Sequence, residues 1–178
     1  MDEERIDIEK PLFPQNSFIG RFQHFLFVTD PRTLFANDAE LYAAKDLIQK
    51  YKANQEPKDT TKEQLIYAKK LYESAFHPQE PHELQNLFGR MSCQVPGGMA
   101  ITGAMLQFYK TVPAVVFWQF VNQSFNAVVN YTNRNANSTL TTTQLGVAYV
   151  SATTSALVAS LGSKSFLEKR ASPFFLRY

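Results

Sequence analysis

Hydrophobic and polar positions change their pattern near residue 90. Residues 1–90 are rich in Lys, Asp and Glu and place apolar residues at helical spacing, whereas residues 91–162 contain only two charged residues, Lys110 and Arg134. The first pattern is typical of amphipathic helices with one buried face, and the second is typical of membrane segments. We therefore predict an all-α protein, with N-terminal soluble amphipathic helices followed by transmembrane helices that make about two spans.

Two amphipathic helices are predicted in the soluble region of residues 1–90. NDAE at 37–40 fits a capping box that opens a helix to about Lys52, and TTKE at 60–63 fits a second that opens a helix to about Phe76. The apolar positions of the amphipathic pattern are Leu41, Ala44, Leu47, Ile48 and Tyr51 in the first helix, and Leu65, Ile66, Ala68, Leu71, Tyr72 and Ala75 in the second.

A phenylalanine-rich segment, residues 18–28, precedes these helices. It fits either a short amphipathic helix on a membrane surface or a piece of apolar packing inside the soluble region. Of the two, apolar packing is the expectation we adopt.

The apolar region of residues 91–162 is predicted to contain two membrane spans. Fifteen helical residues up to Tyr109 cover about 22 Å, short of a bilayer core of roughly 30 Å. We therefore place the first span at 95–117, kinked near Pro113; the alternative is a broken helix that runs on into the next segment.

The second span is predicted at 145–161, with residues 163–178 as a basic and then apolar tail. Small residues recur every four positions along the second span, a pattern that lets membrane helices approach closely: Ala148, Ala152, Ala156 and Ser160.

Between the two spans lies an amide-rich helix, residues 117–134, with the sequence FWQFVNQSFNAVVNYTNR. Its side-chain amides step by three or four residues and share one face, which we call the amide stripe: Gln119, Asn122, Asn126, Asn130 and Asn133. Amides in an apolar setting are costly unless they are hydrogen-bonded. Their partners are expected to be another helix, water in a cavity, or a polar ligand.

Other functional classes find little support in the sequence. The net charge of +2 and the absence of a basic, aromatic-rich cluster argue against nucleic-acid binding. The histidines of the loop at 77–86 match no metal-ligand spacing, and Gly98 and Gly103 lack the Lys-Ser/Thr of a phosphate-binding loop, so we predict neither a metal nor a cofactor. No nucleophile accompanies a base, and Cys93 has no evident partner, so we predict no enzyme activity. The acidic N-terminus lacks an apolar signal region.

Several long segments resemble one family, the sideroflexins, which are multi-span proteins of the mitochondrial inner membrane. The matching segments are TDPRTLF at 29–35, YAKKLYESAFHP at 67–78, GRMSCQVPGGMAITG at 89–103, FYKTVPAVVFWQFVNQSFNAVVNYTNR at 108–134 and QLGVAYVSATTSA at 144–156. The resemblance implies a multi-pass transporter of small neutral amino acids, serine above all, that supplies one-carbon metabolism.

The resemblance also implies which partners and which binding site to expect. A zwitterionic amino acid needs neutral donors and acceptors, which Asn and Gln provide, so we predict substrate binding by Gln119, Asn122, Asn126 and Asn130. The alternative is that these amides join helix to helix as packing contacts. Expected partners are L-serine or a similar amino acid, the lipid bilayer, and other membrane helices or further copies of the chain.

The chain departs from the family pattern in two places. The family has HPDTGE after the second soluble helix, whereas this chain has HPQEPHE at 77–83. Family members also continue through further membrane helices, so the chain is expected to be a C-terminally shortened form. This leaves a second function open: a non-transporting scaffold or assembly factor linked to iron, haem or iron-sulfur homeostasis, or an inactive short form.

Overall fold

The computed structural model describes residues 5–79, 83–134 and 141–170. Within these ranges it contains six α-helices and no strand, which confirms the all-α prediction. The chain divides into two compact units, Met1–Pro96 and Gly97–Tyr178. The helices are α1 (Phe18–Val28), α2 (Asp38–Lys52), α3 (Lys62–Ala75), α4 (Gln94–Gln107), α5 (Val112–Thr132) and α6 (Thr142–Arg170), with short 3₁₀ helices at Pro31–Phe35 and Met91–Cys93.

The core of the first unit lies between α2 and α3. The predicted apolar stripes of both helices face each other, and Ile8 and Phe76 complete the cluster. Each fully buried Leu or Ile contributes roughly 1.5–3 kcal/mol relative to exposure, so this seam supplies most of the unit's hydrophobic stabilisation. The buried members on the two helices are Leu41, Ala44, Ile48 and Tyr51 on α2 and Leu65, Ala68, Leu71 and Ala75 on α3.

Capping boxes start both helices, one of them at a different residue from the one predicted. Asn37 accepts from the Glu40 backbone at 2.9 Å, and Glu40 accepts from the Asn37 backbone at 3.0 Å, as predicted. On α3 the box is formed by Thr61 and Gln64, whereas the motif TTKE predicted a box of Thr60 and Glu63. The Thr60 backbone N–H donates to the Pro57 carbonyl at 3.0 Å, so Thr60 belongs to the preceding turn and the helix starts one residue later.

Residues 18–28 form α1, and the expectation of apolar packing is only partly right. Gly20, Phe27 and Val28 are buried, but the other large apolar side chains of the helix are exposed.

In the second unit, the helix predicted over 95–117 is wrong as a continuous element. Helix α4 ends at Gln107 and α5 begins at Val112, which matches the broken-helix alternative. The Thr111 hydroxyl accepts from the Ala114 backbone N–H at 3.4 Å, and Pro113 lies in the first turn of α5. Proline lacks the N–H that a continuing helix needs but suits a first turn, so it starts α5 rather than kinking a longer helix.

Helix α6 is longer than predicted. The helix expected over 145–161 runs from Thr142 to Arg170 and passes through Gly162, because a single glycine in a helix costs only about 1 kcal/mol. A threonine cap starts the helix, with Thr141 and Gln144 bonded reciprocally. Of the described residues, only the segment Thr142–Leu167 is long and apolar enough to cross a membrane, with mean hydropathy 1.4. Residues 135–140 and the part of the predicted tail after Arg170 lie outside the described residues.

Candidate functional site

The amide stripe lies on α5, and α5 packs against α6. Two side-chain hydrogen bonds join the helices: Gln119 donates from Nε2 to Ser160 Oγ at 2.6 Å, and the hydroxyls of Ser124 and Tyr149 lie 2.8 Å apart. The Phe120 ring also meets the Tyr149 ring edge to face, with centroids 6.2 Å apart. Such bonds satisfy polar groups that would otherwise be costly in an apolar setting.

The four predicted site residues differ in their environments. Gln119 and Asn122 are half-buried, whereas Asn126 and Asn130 are exposed. The structure therefore brings Gln119 against α6 and leaves the later part of the stripe open. Beyond the predicted four, Asn133 donates to the Val129 carbonyl of its own helix at 2.9 Å.

A cavity of about 720 Å³ lies beside Gln119 in the second unit. Its volume falls in the range of small-molecule sites, roughly 300–1,000 Å³. One wall is aromatic, with Phe108 and Trp118 stacked at 5.9 Å between centroids. The polar residues of the lining are Gln119, Ser160, Ser163, Lys110 and Lys164, together with Tyr109.

Lys164 links α6 to the segment between α4 and α5. Its Nζ donates to the carbonyl of Lys110 at 2.8 Å and lies 3.5 Å from that of Tyr109. The break after α4 leaves carbonyls without helical partners, and an ammonium group satisfies such carbonyls. The cavity thus combines a cation, hydroxyls, an amide and aromatic surface, a set of groups that suits a small molecule carrying a carboxylate.

Sequence reasoning missed the contribution of α6. The less exposed positions of α6 recur at helical spacing and are rich in hydroxyl groups, among them Tyr149, Thr153 and Ser160. The small-residue row included Ser160 and Ala156, but Ala148 and Ala152 are exposed. These hydroxyl-bearing residues were the available signal, because hydroxyl groups on one face of α6 can hydrogen-bond to the polar side chains of α5.

No group of metal-ligating side chains occurs within the described part of the chain. In the loop at 77–86, the His77 ring bonds to the backbone of Gln79. Glu80 and His82 of the same loop lie outside the described residues.

The geometry defines a class of protein: an all-helical chain with a helix of membrane-spanning length and composition packed beside an amide-bearing helix. The sequence model of the family described as Sideroflexins matches residues 7–178, and the chain belongs to the sideroflexin family. Sideroflexin-2 of Drosophila melanogaster is 59% identical over 173 residues, which cover 97% of this chain and 53% of the relative.

Two human relatives show similar coverage. Human sideroflexin-2 is 51% identical, with 99% of this chain and 54% of the relative covered, and human sideroflexin-3 is 50% identical, with 97% and 53% covered. The chain therefore spans about half the length of these relatives. No solved structure gives a significant match.

Proposed function

We propose that the chain forms part of a transport path for a small neutral amino acid, L-serine first, across the mitochondrial inner membrane. Serine carried in this way would supply one-carbon metabolism. The observation that supports this most directly is the cavity beside Gln119, where neutral hydrogen-bonding groups meet an aromatic wall and Lys164. A zwitterion with a hydroxyl side chain needs these kinds of partner when it leaves water.

The proposed roles follow the two environments of the amide stripe. Gln119 lines the cavity and would hold the substrate there, and Asn122, half-buried on the same helix face, would line the path next to it. Asn126 and Asn130 are exposed on the same helix face and would line the continuation of the path. The Gln119 to Ser160 bond also fits the packing alternative, since an amide bonded to a neighbouring helix acts as an interhelical contact.

Uptake of labelled serine into proteoliposomes tests the proposal. The chain is reconstituted both alone and fused to the part of the Drosophila relative that the match leaves uncovered. We expect uptake by at least one form, and a loss of roughly tenfold for Asn122→Ala, equivalent to about 1.4 kcal/mol and one hydrogen bond. Asn126→Ala is expected to act in the same direction.

Thr153→Val on α6 provides the control. The Thr153 hydroxyl bonds to the Tyr149 carbonyl of its own helix at 2.8 Å, and Thr153 does not line the cavity, so loss of the hydroxyl should leave uptake unchanged. Absence of uptake in both forms, with insertion verified, would contradict the proposal. Normal uptake by all the asparagine variants would instead assign the stripe to helix packing.

A further inference from the structure

One face of α1 is apolar and open. Phe18, Ile19, Phe22, Phe25 and Leu26 are each 52–71% exposed. At 100° per residue these five positions fill an arc of about 120°, the width of the apolar stripe by which a helix normally packs onto a core. Here that stripe points away from the core of its own unit.

The opposite side of α1 is held in place, which fixes the rotation of the helix. A Cβ at Gly20 would lie 1.8 Å from the Pro14 carbonyl oxygen, so the helix backbone touches the preceding segment where only glycine fits. Phe27 meets the Phe13 ring at 6.0 Å and lies beneath Lys70 of α3 at 5.2 Å. The apolar face cannot turn inward without breaking these contacts.

We propose that α1 lies along the surface of a lipid bilayer, with its exposed apolar face among the acyl chains. Eleven helical residues measure about 16 Å, too short to cross a bilayer but sufficient to lie in its interface. The exposed Arg21 flanks one edge of the arc and Gln23 the other, so a cation stands at headgroup level where anionic lipid phosphates lie. The same chain carries α6, which has membrane-spanning length and composition.

The size of the face favours lipid over a protein partner. Large apolar side chains offer roughly 150–250 Å² each, so five that are a little more than half exposed present on the order of 600 Å². A stable protein interface takes about 800 Å² from each partner, with a polar rim on all sides. An interfacial helix has no such requirement, because its binding grows with the apolar area inserted.

The test measures the surroundings of this face in the whole chain, reconstituted into phosphatidylcholine vesicles with and without phosphatidylglycerol. A nitroxide label is placed at Phe22→Cys in a Cys93→Ala background, with circular dichroism as the folding check. Tyr67→Cys on α3, where the native side chain is 58% exposed, is the matched control. Collisions with dissolved oxygen report lipid, and collisions with a water-soluble nickel complex report water.

We expect the label at position 22 to collide with oxygen and to be several-fold less accessible to nickel than the label at position 67. Equal nickel accessibility at the two positions would overturn the proposal. Shielding from both reagents would also overturn it, because a protein segment would then cover the face.

A photo-crosslinking amino acid, benzoylphenylalanine, at Phe22 gives an independent readout in a chain that keeps Cys93. Lipid adducts support the proposal, and adducts to protein alone contradict it. Neither readout depends on serine uptake, so the placement of α1 on the bilayer is tested independently of the proposed transport path.

Discussion

Asp30 links the 3₁₀ helix at Pro31–Phe35 to α3 through one buried carboxylate. It accepts from Arg32 Nε at 2.9 Å and Arg32 Nη2 at 2.6 Å, from Lys70 of α3 at 3.0 Å, and from the Arg32 backbone N–H at 3.0 Å. The hydrogen bonds from Arg32, with Lys70 in addition, hold the pKa of Asp30 well below its usual range, although burial acts to raise it.

Replacing this carboxylate should destabilise the chain. We expect Asp30→Asn to lower the free energy of unfolding by about 1–3 kcal/mol, because the amide offers no charge to two cations and one fewer acceptor oxygen. Urea unfolding of the detergent-solubilised chain, followed by far-ultraviolet circular dichroism, measures the loss.

The pH dependence follows from the lowered pKa of Asp30. The carboxylate's contribution is complete above the unfolded pKa of about 3.9 and is lost as the pH falls through the folded pKa. The difference between Asp30→Asn and the unmodified chain should therefore be constant near neutral pH and shrink below about pH 4. Asp46→Asn, which breaks an exposed pair with Lys50, should cost under about 1 kcal/mol. Equal losses for the two variants would contradict the prediction.

Two side-chain hydrogen bonds join α5 to α6, and one of them can be tested without touching the amide stripe. The hydroxyls of Ser124 and Tyr149 lie 2.8 Å apart. In a double-mutant cycle of Ser124→Ala and Tyr149→Phe, we expect a coupling free energy of about 0.6–1.7 kcal/mol, the range for hydrogen bonds between membrane helices.

Unfolding by denaturing detergent measures the coupling between Ser124 and Tyr149. The control cycle combines Ser124→Ala with Thr153→Ala, because the Thr153 hydroxyl bonds to the Tyr149 carbonyl of its own helix at 2.8 Å. Its coupling should not exceed about 0.5 kcal/mol. A Ser124 and Tyr149 cycle that is additive within that limit would show that the helices pair by packing alone.

Local signals in the sequence were sufficient to predict most of the helices. The Asn37 and Glu40 box specifies its own helix start, because both hydrogen bonds lie within four residues. The sequence favoured one helix over 95–117 kinked near Pro113, whereas the structure has two helices with a break after Gln107. An apolar run does not show whether a proline kinks a helix or begins one. Thr111 two residues before Pro113 was the available cap signal.

The candidate site was less predictable than the helices. Helical spacing shows which amides share a face, but the rotation of α5 against α6 depends on packing between distant residues. Gln119 therefore meets Ser160, while Asn126 and Asn130 of the same stripe are exposed. For a similar reason the sequence could not decide between the two interpretations of residues 18–28, because the contact between Gly20 and Pro14 that sets the rotation of α1 has no periodic signal.

The two compact units differ in what covers their apolar residues. In the first, the buried cluster draws all its members from residues 8–76, so the unit encloses its own core. In the second, none of the side chains described for α4 and α5 is fully buried, and α6 has membrane-like composition. That residues 1–90 form a soluble region stays a prediction, and the first unit's own buried cluster makes it testable.

A fragment of residues 1–93 should accordingly fold without the rest of the chain. At about 0.05–0.15 kcal/mol per residue, its stability would be roughly 5–14 kcal/mol, with one cooperative transition in urea. Leu41→Ala, at a position with 0% exposure, should remove about 2–5 kcal/mol of it. Leu87→Ala is the matched control, because Leu87 is 48% exposed and should cost under about 1 kcal/mol. A broad, non-cooperative transition in the unmodified fragment would mean that the first unit needs the rest of the chain to fold. Equal losses of unfolding free energy in the two leucine variants would mean that the contact between α2 and α3 is not the core of the unit.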